Sequence, residues 1–72
     1  MPHVLVMLWR GKSEQQRERL AEAITKNAVE ILHYGDESVS IAREEIRPQD
    51  WLEEVYKPEV KNKWDALYKK PG

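Results

Sequence analysis

A chain of 72 residues, with 12 Lys and Arg against 13 Asp and Glu and no cysteine, has room for one domain, 1–72. Its net charge of −1 excludes general electrostatic capture of nucleic acid or of an anionic membrane. No apolar run approaches the roughly 20 residues that span a bilayer, and no signal peptide opens the chain, so a cytoplasmic protein is expected.

A chain this small buries only about 60% of its unfolded surface and needs help to be stable. Disulfides are impossible, and His3 and His33 do not form a metal-ligand motif. No metal or cofactor is therefore expected, and self-association is the remaining source of stability.

Residues 2–9 read as a strand. Val4, Val6 and Leu8 point one way; Leu5, Met7 and Trp9 point the other. Both faces are apolar, which predicts a helix over one and another subunit over the other. Arg10-Gly11-Lys12 is a loop. Ser13 with Gln16 forms a capping box, Glu14 sits in the favoured first turn, and the helical pattern runs to about His33. Leu20, Ile24, Ala28 and Ile31 form its apolar stripe, broadened by Ala21, Val29 and Leu32. Gly35 fits a left-handed stop.

Val39–Ile46 is a second strand, ended by Pro48. The fold class is therefore α/β (α+β): a βαβ unit with parallel strands and a right-handed crossover. Residues 49–55 predict a short helical turn broken by Pro58, which then opens a second helix to about Lys69. Val60, Trp64, Leu67 and Tyr68 give that second helix an apolar stripe. No repeat or low-complexity segment is present.

Most catalytic constellations are missing. The three glycines are scattered, so no phosphate loop exists, and the serines lack a histidine and acid at usable spacing. Glu44-Glu45 and Glu53-Glu54 are adjacent and point to different sides. Pro2 remains. Methionine before proline is a good substrate for removal, and removal turns Pro2 into a secondary amine at a strand end. Desolvation and neighbouring cations lower the pKa of such an ammonium, leaving a rigid base near neutral pH. With Met1 attached, the same nitrogen is a tertiary amide with no basic lone pair. On the residue alone, Pro2 as a simple strand opener is the competing reading.

Pro2, its strand, Gly11-Lys12-Ser13-Glu14-Gln15-Gln16, the long helix and Ser38-Val39-Ser40-Ile41 through Ile46 together resemble the 4-oxalocrotonate tautomerase family. The resemblance covers nearly the first fifty residues. The tail, with Pro48-Gln49-Asp50-Trp51, is more similar to a dimeric branch than to the short hexameric enzymes. The resemblance implies a cofactor-free isomerase in which Pro2 is general base and then general acid. Lys12 stands where an arginine grips the substrate carboxylate, keeping the charge without the bidentate fork. Trp51 falls on the active-site aromatic, with a core tryptophan as the alternative.

Ser40 departs: the best-known members carry there a second arginine that polarises the carbonyl. Arg43 has the wrong strand parity to replace it, leaving Arg10 or Arg47 of a neighbour. The expected partners are a small carboxylate-bearing enol or keto acid and other copies of the chain. Two βαβ units would join edge to edge into a four-stranded sheet, a dimer being favoured over a hexamer. The alternative is an inactive scaffold or small-ligand binder of the same fold.

Overall fold

The computed structural model describes residues 1–72. Strand β1 (His3–Trp9) and strand β2 (Ser40–Ile46) pair in parallel, from His3 opposite Ser40 to Trp9 opposite Ile46. Helix α1 (Glu14–Leu32) connects them, so the βαβ unit expected from the sequence is present. The sheet of one chain has two strands; a four-stranded sheet requires a second copy.

The start of α1 is set locally. Ser13 Oγ accepts from the Gln16 N–H at 3.1 Å, and the Ser13 N–H donates to Gln16 Oε1 at 3.0 Å. Two backbone donors that the helix cannot use are thereby satisfied. The other end differs from expectation. The left-handed residue is His33, at φ 61°, whereas Gly35 is extended at φ −76°. Gly35 instead enters a 3-10 turn, Asp36–Ser38, where its carbonyl accepts from the Ser38 N–H at 3.0 Å. Histidine is among the residues that tolerate the left-handed well.

One face of the sheet is covered by α1. Arg17 reaches across to Glu45 at 3.4 Å, and Arg43 reaches back to Glu14 at 3.3 Å. The covered stripe of α1 is Arg17, Ala21, Ile24, Thr25, Ala28 and Val29, whereas Leu20 and Ile31 are exposed. Ala21, Ile24, Ala28 and Val29 thus belong to the predicted stripe, while Leu20, Ile31 and Leu32 at its edge are left in solvent and Arg17 and Thr25 join it. A groove lined by Val6, Leu8, Leu20, Ala21 and Ile41 stays open between helix and sheet.

The other face is open over much of its length. Leu5 is 50% exposed and Trp9 55%, and only Ile46 and Val55 are buried in the whole chain. Large apolar side chains left in water are a cost that association removes.

After β2 the sequence reading fails in detail. A 3-10 turn at Pro48–Asp50 leads to a C-terminal helix, Leu52–Lys61, that runs through Pro58 instead of breaking there. Its turns are wide: the Asn62 N–H donates to the Lys57 carbonyl, five residues back, at 3.0 Å. In an α-helix the proline ring clashes with the carbonyl four residues back, and the wider turn moves that carbonyl aside. The predicted helix to Lys69 is reduced to one 3-10 turn, Trp64–Ala66, and Tyr68 lies fully in solvent.

Candidate active site

Pro2 lies just outside β1, where a missing N–H costs the ladder nothing. Its carbonyl accepts from the Ser40 N–H at 3.1 Å, fixing it on the first rung of the parallel pair. It is half-buried. Ser40 is opposite His3, and both side chains occupy the face away from α1; His3 Nδ1 and Ser40 Oγ are 2.6 Å apart. Arg43 faces α1 and its Glu14, so strand parity does keep it away from Ser40.

Lys12 is at the far end of the strand. Gly11, at φ 112°, turns the chain after β1 in a conformation that side chains disfavour. The Lys12 carbonyl then accepts from Arg17 Nη1 at 2.6 Å. The Lys12 ammonium is exposed and pairs with no carboxylate of its own chain. Arg10, in the same loop, is likewise exposed.

Trp51 is at that far end too. Arg47 Nε donates to Asp50 Oδ2 at 2.8 Å across the Pro48–Asp50 turn, which delivers Trp51 to the sheet. The Trp51 and Trp9 rings meet edge to face, 6.4 Å apart at 80°. Trp51 is half-buried there. With Arg47 engaged by Asp50, Arg10 is the less restrained of the two candidate cations.

The four sequence-derived residues therefore fall into two groups. Pro2 and Ser40 share one end of the sheet; Lys12 and Trp51 share the other. Six residue steps along β1, at about 3.3 Å each, put these ends about 20 Å apart. No small acid can touch both within one chain. Sequence reasoning also missed His3, although pairing two parallel strands from Pro2 and Val39 onward sets it beside Ser40.

The charged cluster near α1 is a structural element of that scaffold. A hydrogen bond from Arg17 holds the Glu14 carboxyl below the ordinary carboxylate range; Arg43 adds to this and partial desolvation opposes it. The Arg17 guanidinium is correspondingly raised by its bond to Glu14.

The family model described as Tautomerase enzyme matches residues 2–59. Among curated relatives, Tautomerase PptA of Pectobacterium carotovorum is 43% identical over 75 residues, covering all of this chain and 96% of that protein. A probable tautomerase of Xylella fastidiosa is 32% identical over 72 residues, covering all of this chain and 88% of that one. Two solved structures share the fold. TomN, a 4-oxalocrotonate tautomerase homologue in the tomaymycin biosynthetic pathway, is 33% identical with a TM-score of 0.68, over 89% of this chain and 95% of that one. YwhB, another homologue of 4-oxalocrotonate tautomerase, is 28% identical with a TM-score of 0.62, over 64% of this chain and 75% of that one. A matched span that opens on Pro2 and takes in both strands, α1 and Trp51 leaves one assignment: the chain belongs to the tautomerase family.

Proposed function

We propose that the chain is a cofactor-independent isomerase that interconverts enol and keto forms of a small 2-oxo acid or arylpyruvate, with Pro2 as its base. Family membership supports a tautomerase-type function. The observation that carries the finer reading is the position of Pro2, at the open end of β1 with its carbonyl tied to Ser40.

Once Met1 is removed, the Pro2 lone pair takes the enol O–H proton. The C2–O bond becomes a carbonyl, the C2=C3 electrons move to C3, and the Pro2 ammonium returns the proton to C3. One amine serves both steps, so atoms and charge balance without a second reagent. The pyrrolidine ring fixes the direction of the lone pair, which reduces the orientation still to be found.

A complete site needs two copies. An antiparallel two-fold join of sheet edges brings the Pro2 end of one chain beside the Trp9 end of the other. Lys12 of the second copy then holds the substrate carboxylate, and Trp51 helps exclude water and keep the amine neutral. That join lengthens the open apolar face without covering it, so a further layer has to pack there. A dimer, as in the branch that the tail resembles, is the smallest assembly that completes the site.

The test is a spectrophotometric enol-decay assay with phenylenolpyruvate on protein whose mass shows that Met1 is absent. Pro2→Ala should slow turnover by about 10²–10⁴-fold; equal rates for the two proteins would remove Pro2 from the mechanism. Serine in place of a cation at position 40 is what favours the inactive-binder reading. A folded protein with free Pro2 that a 3-bromopropiolate electrophile leaves unlabelled would move the assignment to a non-catalytic binder.

A further inference from the structure

A serine at position 40 leaves the enolate oxygen without a cation, and the structure offers a different group there. His3 Nδ1 is 2.6 Å from Ser40 Oγ, and the Ser40 N–H is bonded to the Pro2 carbonyl at 3.1 Å. His3 is also the residue after Pro2, about 3.8 Å along the chain from Cα to Cα. Pro2, His3 and Ser40 are thus held together by one rung of the β ladder and one side-chain contact.

The polarity of the His3–Ser40 bond decides what Ser40 can do. If Ser40 donates to Nδ1, only oxygen lone pairs remain to meet substrate, and these repel an enolate oxygen. If Nδ1–H donates to Oγ, one lone pair is occupied and the hydroxyl proton stays available. A hydroxyl that accepts such a bond is polarised into a better donor.

We infer that His3 is a positioning residue, donating Nδ1–H to Ser40 so that the Ser40 hydroxyl points its proton at the developing enolate oxygen. This rests on Pro2 being the base. The pair replaces a fixed cation with an oriented neutral donor, a weaker device than an arginine. It suits a substrate whose enol is already partly stabilised, such as an arylpyruvate with a conjugated ring. Because His3 acts through Ser40, its loss should lower kcat and leave KM nearly unchanged.

The experiment uses processed protein and phenylenolpyruvate, with His3→Ala, His3→Asn, Ser40→Ala and the double variant His3→Ala/Ser40→Ala. Loss of one oxyanion donor predicts a fall of about 10²-fold in kcat for Ser40→Ala. Loss of the supporting bond alone predicts a fall of about 10-fold for His3→Ala. His3→Asn should recover most of that, because its amide N–H can occupy the place of Nδ1–H. The double variant should be no slower than Ser40→Ala, since the two residues act as a unit. Wild-type kcat in His3→Ala, or His3→Asn as slow as His3→Ala, overturns the inference. A second readout does not depend on turnover: nitrogen-15 NMR of the His3 ring at alkaline pH. An Nδ1–H tautomer that is lost in Ser40→Ala supports the pair, and an Nε2–H tautomer in the parent protein overturns it. Full activity of Pro2→Ala rejects the base assignment instead, and the NMR result still decides the pair by itself.

Discussion

The two ends of β1 are built differently, and neither holds all four candidate site residues. The Pro2 end is held by backbone: a parallel rung to Ser40 and the imidazole–hydroxyl contact beside it. The Trp9 end is held by side chains: an edge-to-face tryptophan pair and a turn clasped by Arg47 and Asp50. The first end has Pro2, the proposed proton carrier, with no cation beside it, and the second has an unpaired cation, Lys12. In the proposed function, the work of so small a chain is divided along a strand and completed by symmetry. The apolar side chains that one chain leaves in water include Leu5 and Trp9 on the open face of β1.

Breaking the Pro2 end gives the largest effect. Pro2→Ala, or retention of Met1, should reduce kcat by about 10²–10⁴-fold, the usual worth of a positioned base, with circular dichroism unchanged. Breaking the cation at the other end comes next. Lys12→Ala should lower kcat/KM by roughly 10–100-fold, mostly through KM, as expected for losing a charged hydrogen bond. Lys12→Arg should keep or improve the value, since it restores the bidentate fork.

Trp51→Ala sharpens the comparison, because it acts on both stability and chemistry. Losing the ring contact with Trp9 should cost about 0.5–1.5 kcal/mol beyond the lost burial, read as a lower denaturation midpoint. Water then reaches the Pro2 amine of the partner and favours its ammonium. The acidic limb of the kcat/KM profile should therefore move to higher pH.

The smallest expected effect lies outside the site. Glu14 is held below its ordinary pKa by Arg17 and Arg43, so its contribution to stability is fully present above the unfolded value of about 4.3. It disappears as pH falls through the lower folded value. Thermal melts of Glu14→Gln should be less sensitive to pH below that point than those of the parent. Equal sensitivity would show that the cluster contributes nothing measurable.

Much of this was legible in the residues. Ser13 and Gln16 mark the start of α1 because capping is local, and the continuous apolar run Val4–Trp9 marks β1. The end of α1 was not, because the choice between His33 and Gly35 depends on the 3-10 turn that follows. Pro58 misled for a related reason: the usual breaking rule assumes an α-helical turn, and this helix is wider. Trp64 and Tyr68 have helical spacing, but only one 3-10 turn forms there and Tyr68 packs on nothing.

At the site, residue chemistry singled out Pro2, and the family resemblance added Lys12, Ser40 and Trp51, without revealing that they occupy opposite ends. Position along a strand becomes distance only once the chain is known to stay extended from His3 to Trp9. His3 was overlooked because its partner is 37 residues away in sequence, and only the strand register brings the two together.

The most direct test of a divided site is complementation. Pro2→Ala and Lys12→Ala chains are refolded together and assayed with phenylenolpyruvate well below the KM, where each variant alone is slow. In a mixed dimer one site unites the intact Pro2 of one chain with the intact Lys12 of the other, so about a quarter of wild-type activity should return. Activity that stays at the average of the two separate variants would contradict the account.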